Sequence, residues 1–209
     1  MEQRFTPALR TLQKLFQDAS LAIQIPIRFA LIGGLAVSAW GIVRATQDID
    51  FLADSDPSPL RDLALRGRLQ KFWERRGSAV KWRSGGADDP IPLLLRLQML
   101  RPTPGITADV LWAHKRWQRE ALLRTVTLKV SDLGVLVLHP EDLVLMKLEA
   151  GGPQDLLDVE GLISNPPPEL NVSSLKRKAL RLRLGSVLDE CLNRSRKKPR
   201  STRSRSPRS

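Results

Sequence analysis

Two aspartates, Asp48 and Asp50, stand one residue apart, shortly after the glycine pair Gly33-Gly34. In a β-strand, side chains at positions i and i+2 point to the same face, and a rise of about 3.3 Å per residue places their roots roughly 7 Å apart. Such a pair can bind one or two hard divalent cations. Mg²⁺ (or Mn²⁺) prefers oxygen ligands and keeps positions open for phosphates, which favours phosphoryl or nucleotidyl transfer. A lone Asp-x-Asp is also typical of an exposed strand edge.

The residues around the glycine pair predict a site for a phosphate. Residues 28–32 read as a buried strand, Gly33-Gly34 as a tight turn and residues 35–43 as a helix. Backbone N–H groups at a helix start attract anions, and glycine lets a phosphate approach closely. Arg44 and Thr46 are further candidate phosphate donors, although an arginine at a loop edge is equally ordinary surface. A Walker loop is excluded because no Gly-Lys-Ser/Thr follows the glycines.

Two later residues are candidates for the same site. Asp109 interrupts the apolar, strand-like run 106–112. Because burial of a bare carboxylate is costly, we expect Asp109 to pair with Asp48 and Asp50 around Mg²⁺, and the alternative is an exposed acid on a strand. Lys147 follows four apolar residues on a helix that is predicted to begin at Pro140. An ammonium there indicates a phosphate or acid partner, or else a side chain that extends along a half-buried helix to solvent.

These motifs resemble the DNA polymerase β-type nucleotidyltransferase superfamily, whose signature is a glycine pair or Gly-Ser at a helix start, then Asp-x-Asp, then a third acid. The matching residues are Gly33-Gly34, Asp48, Asp50 and Asp109. Residues 34–52, 140–148 and 153–159 more narrowly resemble the small bacterial nucleotidyltransferases of the AbiEii toxin type. The resemblance spans roughly residues 25–165, and the order and spacing of its short motifs make it fairly specific.

The resemblance implies roles for the individual residues. Asp48 and Asp50 would hold Mg²⁺, and Asp109 would be the third metal ligand and activate the incoming hydroxyl. The Gly33-Gly34 turn, Arg44, Thr46 and Lys147 would bind the nucleoside triphosphate. The chain departs from the family pattern at Gly34, where serine is frequent, and at Gly151-Gly152, where an arginine is frequent. The roles of that hydroxyl and that guanidinium are therefore not carried over.

Composition sets limits on the class of protein. The chain has 209 residues, 42% of them hydrophobic, which is enough for one core of ordinary size. Its single cysteine excludes an intramolecular disulfide. The beginning of the sequence has no secretory signal, and Gln24, Pro26, Arg28 and the glycine pair interrupt its most apolar window. We therefore expect a cytoplasmic protein without a membrane partner.

The periodicity of apolar residues predicts an α/β (α+β) fold with a mixed β-sheet flanked by helices and a helical C-terminal portion. Helices are expected at residues 7–22, 60–75, 141–150, 154–163 and 174–193. Further strands are expected at residues 79–83, 93–100, 107–112, 125–130 and 135–138. We assign residues 1–165 to a nucleotidyltransferase-like domain, 166–193 to a C-terminal helix and 194–209 to a disordered basic tail.

Charge is concentrated at the end of the chain. Residues 193–209 carry eight Lys or Arg and no acid, so +8 of the formal net charge of +12 lies there and +4 elsewhere. A polybasic tail favours salt-sensitive binding to nucleic acid, or it can simply increase solubility. The resemblance implies NMP transfer from an NTP to a hydroxyl, and the basic tail favours RNA such as a tRNA 3′ end as acceptor. A toxin with a cognate antitoxin, a protein-adenylylating enzyme, an inactive nucleotide-binding module and a metal-dependent phosphohydrolase remain alternatives.

Overall fold

The structure, a computed structural model, describes residues 4–85, 91–100 and 104–197. Its strands are β1 (Ile27–Ile32), β2 (Ile49–Ser55), β3 (Ser78–Ser84), β4 (Leu93–Met99), β5 (Thr107–Trp112), β6 (Val126–Val130) and β7 (Leu133–Val137). Its helices are α1 (Thr6–Ile23), α2 (Gly33–Ala39), α3 (Leu63–Glu74), α4 (Arg116–Leu122), α5 (Pro140–Ala150), α6 (Pro153–Ser164), α7 (Val172–Arg181) and α8 (Gly185–Lys197).

All seven strands form one mixed sheet in the order β3-β4-β5-β2-β1-β7-β6. The pairs β2–β5 and β1–β7 are parallel, and the other neighbours are antiparallel. The predicted α/β fold with a mixed sheet is confirmed. The parallel pairing of β2 with β5 positions two of the candidate site residues, because it places Asp50 directly beside Asp109.

Aromatic packing fixes α1 and α3 on one face of the sheet. The Phe16 ring of α1 lies 4.5 Å from Phe29 of β1, 5.3 Å from Phe51 of β2 and 6.1 Å from Trp73 of α3, centroid to centroid. Buried residues of α1 recur at helical spacing, which explains why this segment folds as a helix against the sheet. At the other end of this layer, Trp82 of β3 stacks on Trp112 of β5 at 6.5 Å.

Helices α5 to α8 pack together at the other end of the molecule. Glu141, a buried residue in the first turn of α5, accepts hydrogen bonds from Asn171 N at 3.3 Å and Ser174 Oγ at 3.1 Å, and it pairs with Lys178. These contacts attach α7 to α5, and α8 packs on α6. None of the helices in the described part of the chain combines the length and apolarity needed to cross a bilayer.

Several helix boundaries differ from the prediction. The helix expected at 60–75 begins at Leu63, and Gly33-Gly34, expected as a turn, are the first two residues of α2. The helix expected at 35–43 is shorter, because α2 ends at Ala39 and Gly41 adopts a left-handed φ of +94°. The single helix expected at 174–193 is two helices. Arg183 lies in the left-handed region at φ +60°, and Leu184 N donates to Ala179 O at 2.8 Å, which closes α7 and lets α8 turn back towards α6.

Other differences concern a missed helix and the predicted tail. Helix α4 was not expected from the sequence. The Gln118 side chain accepts hydrogen bonds from the backbone N–H groups of His114 and Lys115, which fixes the start of this short helix. The segment expected to be disordered began at residue 194, but α8 continues to Lys197. The remainder of that predicted tail, 198–209, lies outside the described residues.

Candidate functional site

Strand pairing brings two of the three predicted acids together. Asp50 of β2 and Asp109 of β5 are direct partners in the parallel register, so their side chains leave the same face of the sheet. Asp48 lies immediately before the first residue of β2 and is exposed. Asp109 is 9% exposed. The arrangement therefore places two carboxylates side by side on neighbouring strands and a third at the strand entrance.

The pKa of Asp50 reflects its burial and the negative charges of the neighbouring aspartates. Burial, and then the neighbouring Asp109 carboxylate, raise the pKa of Asp50 from 3.8 to about 6. Asp48 raises it further, whereas the positive charges of Lys147 and Arg44 act in the opposite direction. Lys147 and Arg44 lower the pKa of Asp50 by less than burial and the neighbouring carboxylates raise it. A bound cation near these acids would therefore relieve an unfavourable interaction.

Arg96 of β4 holds the third acid. Its Nε donates to Asp109 Oδ1 at 2.8 Å and its Nη2 to Oδ2 at 2.6 Å, a bidentate ion pair across neighbouring strands. This contact raises the pKa of Arg96 above its ordinary value. Sequence reasoning missed this partner. The one signal for it is the alternation Leu95-Arg96-Leu97-Gln98-Met99, which predicts one polar face for β4.

The acids suit a hard divalent cation in their chemistry, since all three offer carboxylate oxygens. In their present positions, however, no three His, Cys, Asp or Glu side chains within the described ranges are grouped as a metal site. Asp48 and Asp50 are the carboxylates that Arg96 does not contact. Binding of a cation by Asp48, Asp50 and Asp109, or by a subset of them, stays a prediction.

The two glycines make room for the site residues themselves. Gly33 has a left-handed φ of +66°, and a Cβ there would overlap the carboxylate of Asp50, with Cγ only 2.7 Å away. A Cβ on Gly34 would lie 2.5 Å from Arg44 Nη1 and 3.2 Å from Thr46 Cβ. Both positions therefore need glycine because side chains of the site pack against them. Their role in binding a phosphate stays a prediction.

The predicted cations Arg44 and Lys147 meet on a buried carboxylate. Arg44 Nη1 lies 2.8 Å from Asp158 Oδ2, and Lys147 Nζ lies 2.9 Å from the same oxygen. Lys147 also donates to Asp155 Oδ1 at 2.6 Å. Asp158 is 3% exposed and Lys147 is 8% exposed. Lys147 thus has acid partners within the fold and does not extend to solvent. Asp158 positions Arg44 and Lys147, and Asp155 positions Lys147, so both acids of α6 are functional candidates.

Thr46 lies in the loop that connects α2 to β2. Its Oγ1 donates to the backbone carbonyl of Asp48 at 3.2 Å, and its side chain is partly exposed. Nearby, Ser38 Oγ of α2 donates to the carbonyl of Arg44 at 3.4 Å. These two hydrogen bonds connect the loop to α2 and to the entrance of β2. The structure therefore gives Thr46 a role in shaping this loop, and its contact with a phosphate stays a prediction.

No protein-family model matches this chain, and no curated protein matches it. Several solved structures are similar to it. An antigenic nucleotidyltransferase-like protein from Paracoccidioides brasiliensis has 19% identity and a TM-score of 0.49, with 90% of this chain and 93% of that chain covered. The antibiotic-resistance factor ANT(2'')-Ia has 15% identity and a TM-score of 0.48, with 90% and 98% covered.

Cid1, described by its RNA terminal uridylyl transferase activity, has 12% identity and a TM-score of 0.42, with 78% of this chain and 40% of that chain covered. This chain therefore spans less than half the length of Cid1. The first of these proteins is described as nucleotidyltransferase-like, the second as an antibiotic-resistance factor and the third by its terminal uridylyl transferase activity. At TM-scores below 0.5, however, the likeness says nothing about activity or substrate, which have to be argued from the residues of this chain.

Proposed function

We propose that this chain is a divalent-cation-dependent nucleotidyltransferase, which transfers NMP from an NTP to a hydroxyl at the 3′ end of an RNA such as tRNA. The observation that supports it best is the placement of Asp50 beside Asp109 on parallel strands, with Asp48 at the strand entrance. Burial and mutual repulsion raise the pKa of Asp50 to about 6. Structures rarely keep so unfavourable a cluster of acids unless it has a function.

In the proposed reaction, the acceptor hydroxyl oxygen forms a bond to the α-phosphorus of the NTP. The bond from that phosphorus to the bridging oxygen breaks, and pyrophosphate leaves with the electron pair. The hydroxyl proton passes to Asp109, whose carboxylate Arg96 holds in a fixed orientation. A cation on Asp48 and Asp50, when bound, would supply positive charge to the triphosphate. Asp109 and Arg96 therefore position the acceptor side of the reaction.

Arg44 and Lys147 are the proposed triphosphate contacts. Both attract the Asp50 carboxylate electrostatically, which places them near the acids. Both also contact Asp158, so a triphosphate would have to share them with that carboxylate or displace it. Gly33-Gly34 and Thr46 border the same region, and they complete the proposed nucleotide site.

A second candidate is a nucleotide-binding module of the same fold that transfers nothing. The observation in its favour is the bidentate ion pair with Arg96, which occupies both oxygens of Asp109. Transfer of the nucleotide to a protein hydroxyl would use the same acids and differs only in the acceptor. The role as a toxin with a cognate antitoxin depends on the AbiEii resemblance of residues 34–52, 140–148 and 153–159 alone.

The test is transfer of label from each NTP in turn to total RNA or to lysate protein, with Mg²⁺ or Mn²⁺. Asp48→Asn and Asp50→Asn should each abolish transfer, and EDTA should do the same. The matched control is Asp189→Asn, an exposed aspartate on α8, which should retain wild-type activity. Transfer that survives both substitutions and EDTA contradicts the proposal, and absence of transfer with all four NTPs favours the binding module.

A further inference from the structure

The acids of the site belong to a longer row of charged residues across four strands. Lys81 of β3 pairs with Arg96 of β4, Arg96 with Asp109 of β5, and Asp109 with Asp50 of β2. Directly paired residues on neighbouring strands point to the same face of a sheet. The row therefore carries two cations followed by two acids, and the cations continue the site towards the β3 edge of the sheet.

The cationic end of this row lies on an open face. Lys81, Arg83, Arg96 and Gln98 are all exposed, and we call them the β3–β4 basic face. The residues that alternate with them belong to the core side, where Trp82 stacks on Trp112 and where α3 packs on β3. Within the described part of the chain, Lys81 and Arg83 have no ion-pair partner, so their charges are available to a ligand.

We propose that the β3–β4 basic face is the acceptor-binding surface, and that its occupant is the 3′ segment of a single-stranded RNA. This inference rests on the proposed function, which places the acceptor hydroxyl at Asp109. Neighbouring strands lie about 4.8 Å apart, so Arg96 is one strand and Lys81 two strands, about 10 Å, from Asp109. If the 3′-terminal hydroxyl of the RNA lies at Asp109, the phosphates that precede it in the RNA lie over these cations.

The chemistry of the face selects this occupant among possible acceptors. Lys81 and Arg83, the two exposed cations of this face whose charge no described acid pairs with, attract a polyanion. In the described ranges, no aromatic side chain lies among Ala79, Lys81 and Arg83 on the exposed side of β3 or among Leu94, Arg96 and Gln98 on that of β4. Contacts to phosphates rather than stacking on bases should therefore dominate, which predicts binding that depends on salt and little on sequence.

The test measures RNA binding by the full-length chain in EDTA without nucleotide, so that it does not depend on transfer. The variant is Lys81→Met with Arg83→Met, which leaves Arg96 and its ion pair with Asp109 intact. The control is Lys71→Met with Arg75→Met, two exposed cations at α3 on the opposite side of the sheet. The probe is a fluorescent single-stranded oligoribonucleotide, and Kd is measured by anisotropy over a range of salt concentrations.

The Lys81 and Arg83 variant should bind the probe about tenfold more weakly and should lose about 1.4 from the slope of log K against log salt, since two phosphate contacts disappear. The control variant should keep the wild-type slope. Equal slopes in the two variants overturn the inference. The two proposals can fail separately. If the Lys81 and Arg83 variant loses RNA binding as predicted but the wild-type protein transfers no nucleotide, the proposed function is refuted and the β3–β4 basic face is still an RNA-binding surface.

Discussion

Arg96 holds both carboxylate oxygens of Asp109 from the neighbouring strand, at 2.8 Å and 2.6 Å. Asp109 is the more buried partner, with 13% of its side chain exposed against 53% for Arg96. The contact therefore stabilises a carboxylate that would otherwise lie beside Asp50 without compensation. It also fixes the orientation of the Asp109 carboxylate.

The first prediction concerns this ion pair. Arg96→Met should lower the free energy of unfolding by about 1 to 3 kcal/mol, because a largely buried carboxylate loses two charge-assisted hydrogen bonds. Urea unfolding at pH 7.5 measures the change. Arg96→Met combined with Asp109→Asn should recover most of the loss, since no charge then remains unpaired. If the effects of the two single substitutions simply add, Arg96 and Asp109 are not energetically coupled.

The second prediction concerns the pH dependence of stability. Because the pKa of Asp50 is raised from 3.8 to about 6 in the fold, its contribution to stability is complete below pH 4 and is lost as pH rises through 6. Asp50→Asn should therefore be more stable than wild type at pH 8, by at most about 3 kcal/mol, and equal to it near pH 4. Urea unfolding at both pH values measures the difference.

Asp189→Asn is the control for the Asp50 experiment, because Asp189 lies on the exposed side of α8 and takes no part in the cluster of acids. Its stability relative to wild type should not vary in the same way between pH 4 and pH 8. An Asp50→Asn variant that is less stable than wild type at pH 8 would show that the Asp50 carboxylate stabilises the fold, contrary to the argument from burial and repulsion.

The third prediction concerns Lys147. Lys147→Met keeps the length and apolar stem of the side chain but leaves Asp155 without its cation and Asp158 with Arg44 alone. We expect the free energy of unfolding to fall by about 3 kcal/mol, because the buried carboxylates that remain lose the cation that compensates for their desolvation. Adding Asp155→Asn should restore part of that loss.

Lys129→Met is the matched control for Lys147, since Lys129 is an exposed residue of β6. It should change the free energy of unfolding by less than about 0.5 kcal/mol. A similarly small effect of Lys147→Met would mean that the contacts with Asp155 and Asp158 contribute nothing to the fold. The position of Lys147 would then have to be explained by its proposed role in binding the triphosphate alone.

The fourth prediction concerns the end of the chain. Deletion of residues 198–209, which carry five Lys or Arg, should leave the urea midpoint unchanged because the deletion removes none of the described contacts of the fold. It should weaken RNA binding and lower the salt slope by up to about 3.5, if all five cations contact phosphates. Identical slopes for the intact and shortened proteins would show that this segment does not bind RNA.

Much of the fold follows from local patterns in the sequence. The apolar spacing in α1, the Pro140 start of α5, the alternation in β3 and the apolar run of β5 are properties of neighbouring residues, and these elements form where the patterns predict them. The same is true of the candidate acids, because Asp48, Asp50 and Asp109 stand out as polar residues beside or within apolar strands. The sequence patterns did not predict helix α4, because its start depends on hydrogen bonds to the side chain of Gln118.

What the tertiary structure alone decided is which charges meet. Arg96 reaches Asp109 through the antiparallel register of β4 with β5, and Lys147 reaches Asp155 and Asp158 through the packing of α6 on α5. Such contacts depend on strand register and helix packing, which many sequences with the same apolar pattern could satisfy differently. The sequence therefore determines the elements and the types of candidate residue, whereas the pairing of each charge is a consequence of how those elements pack.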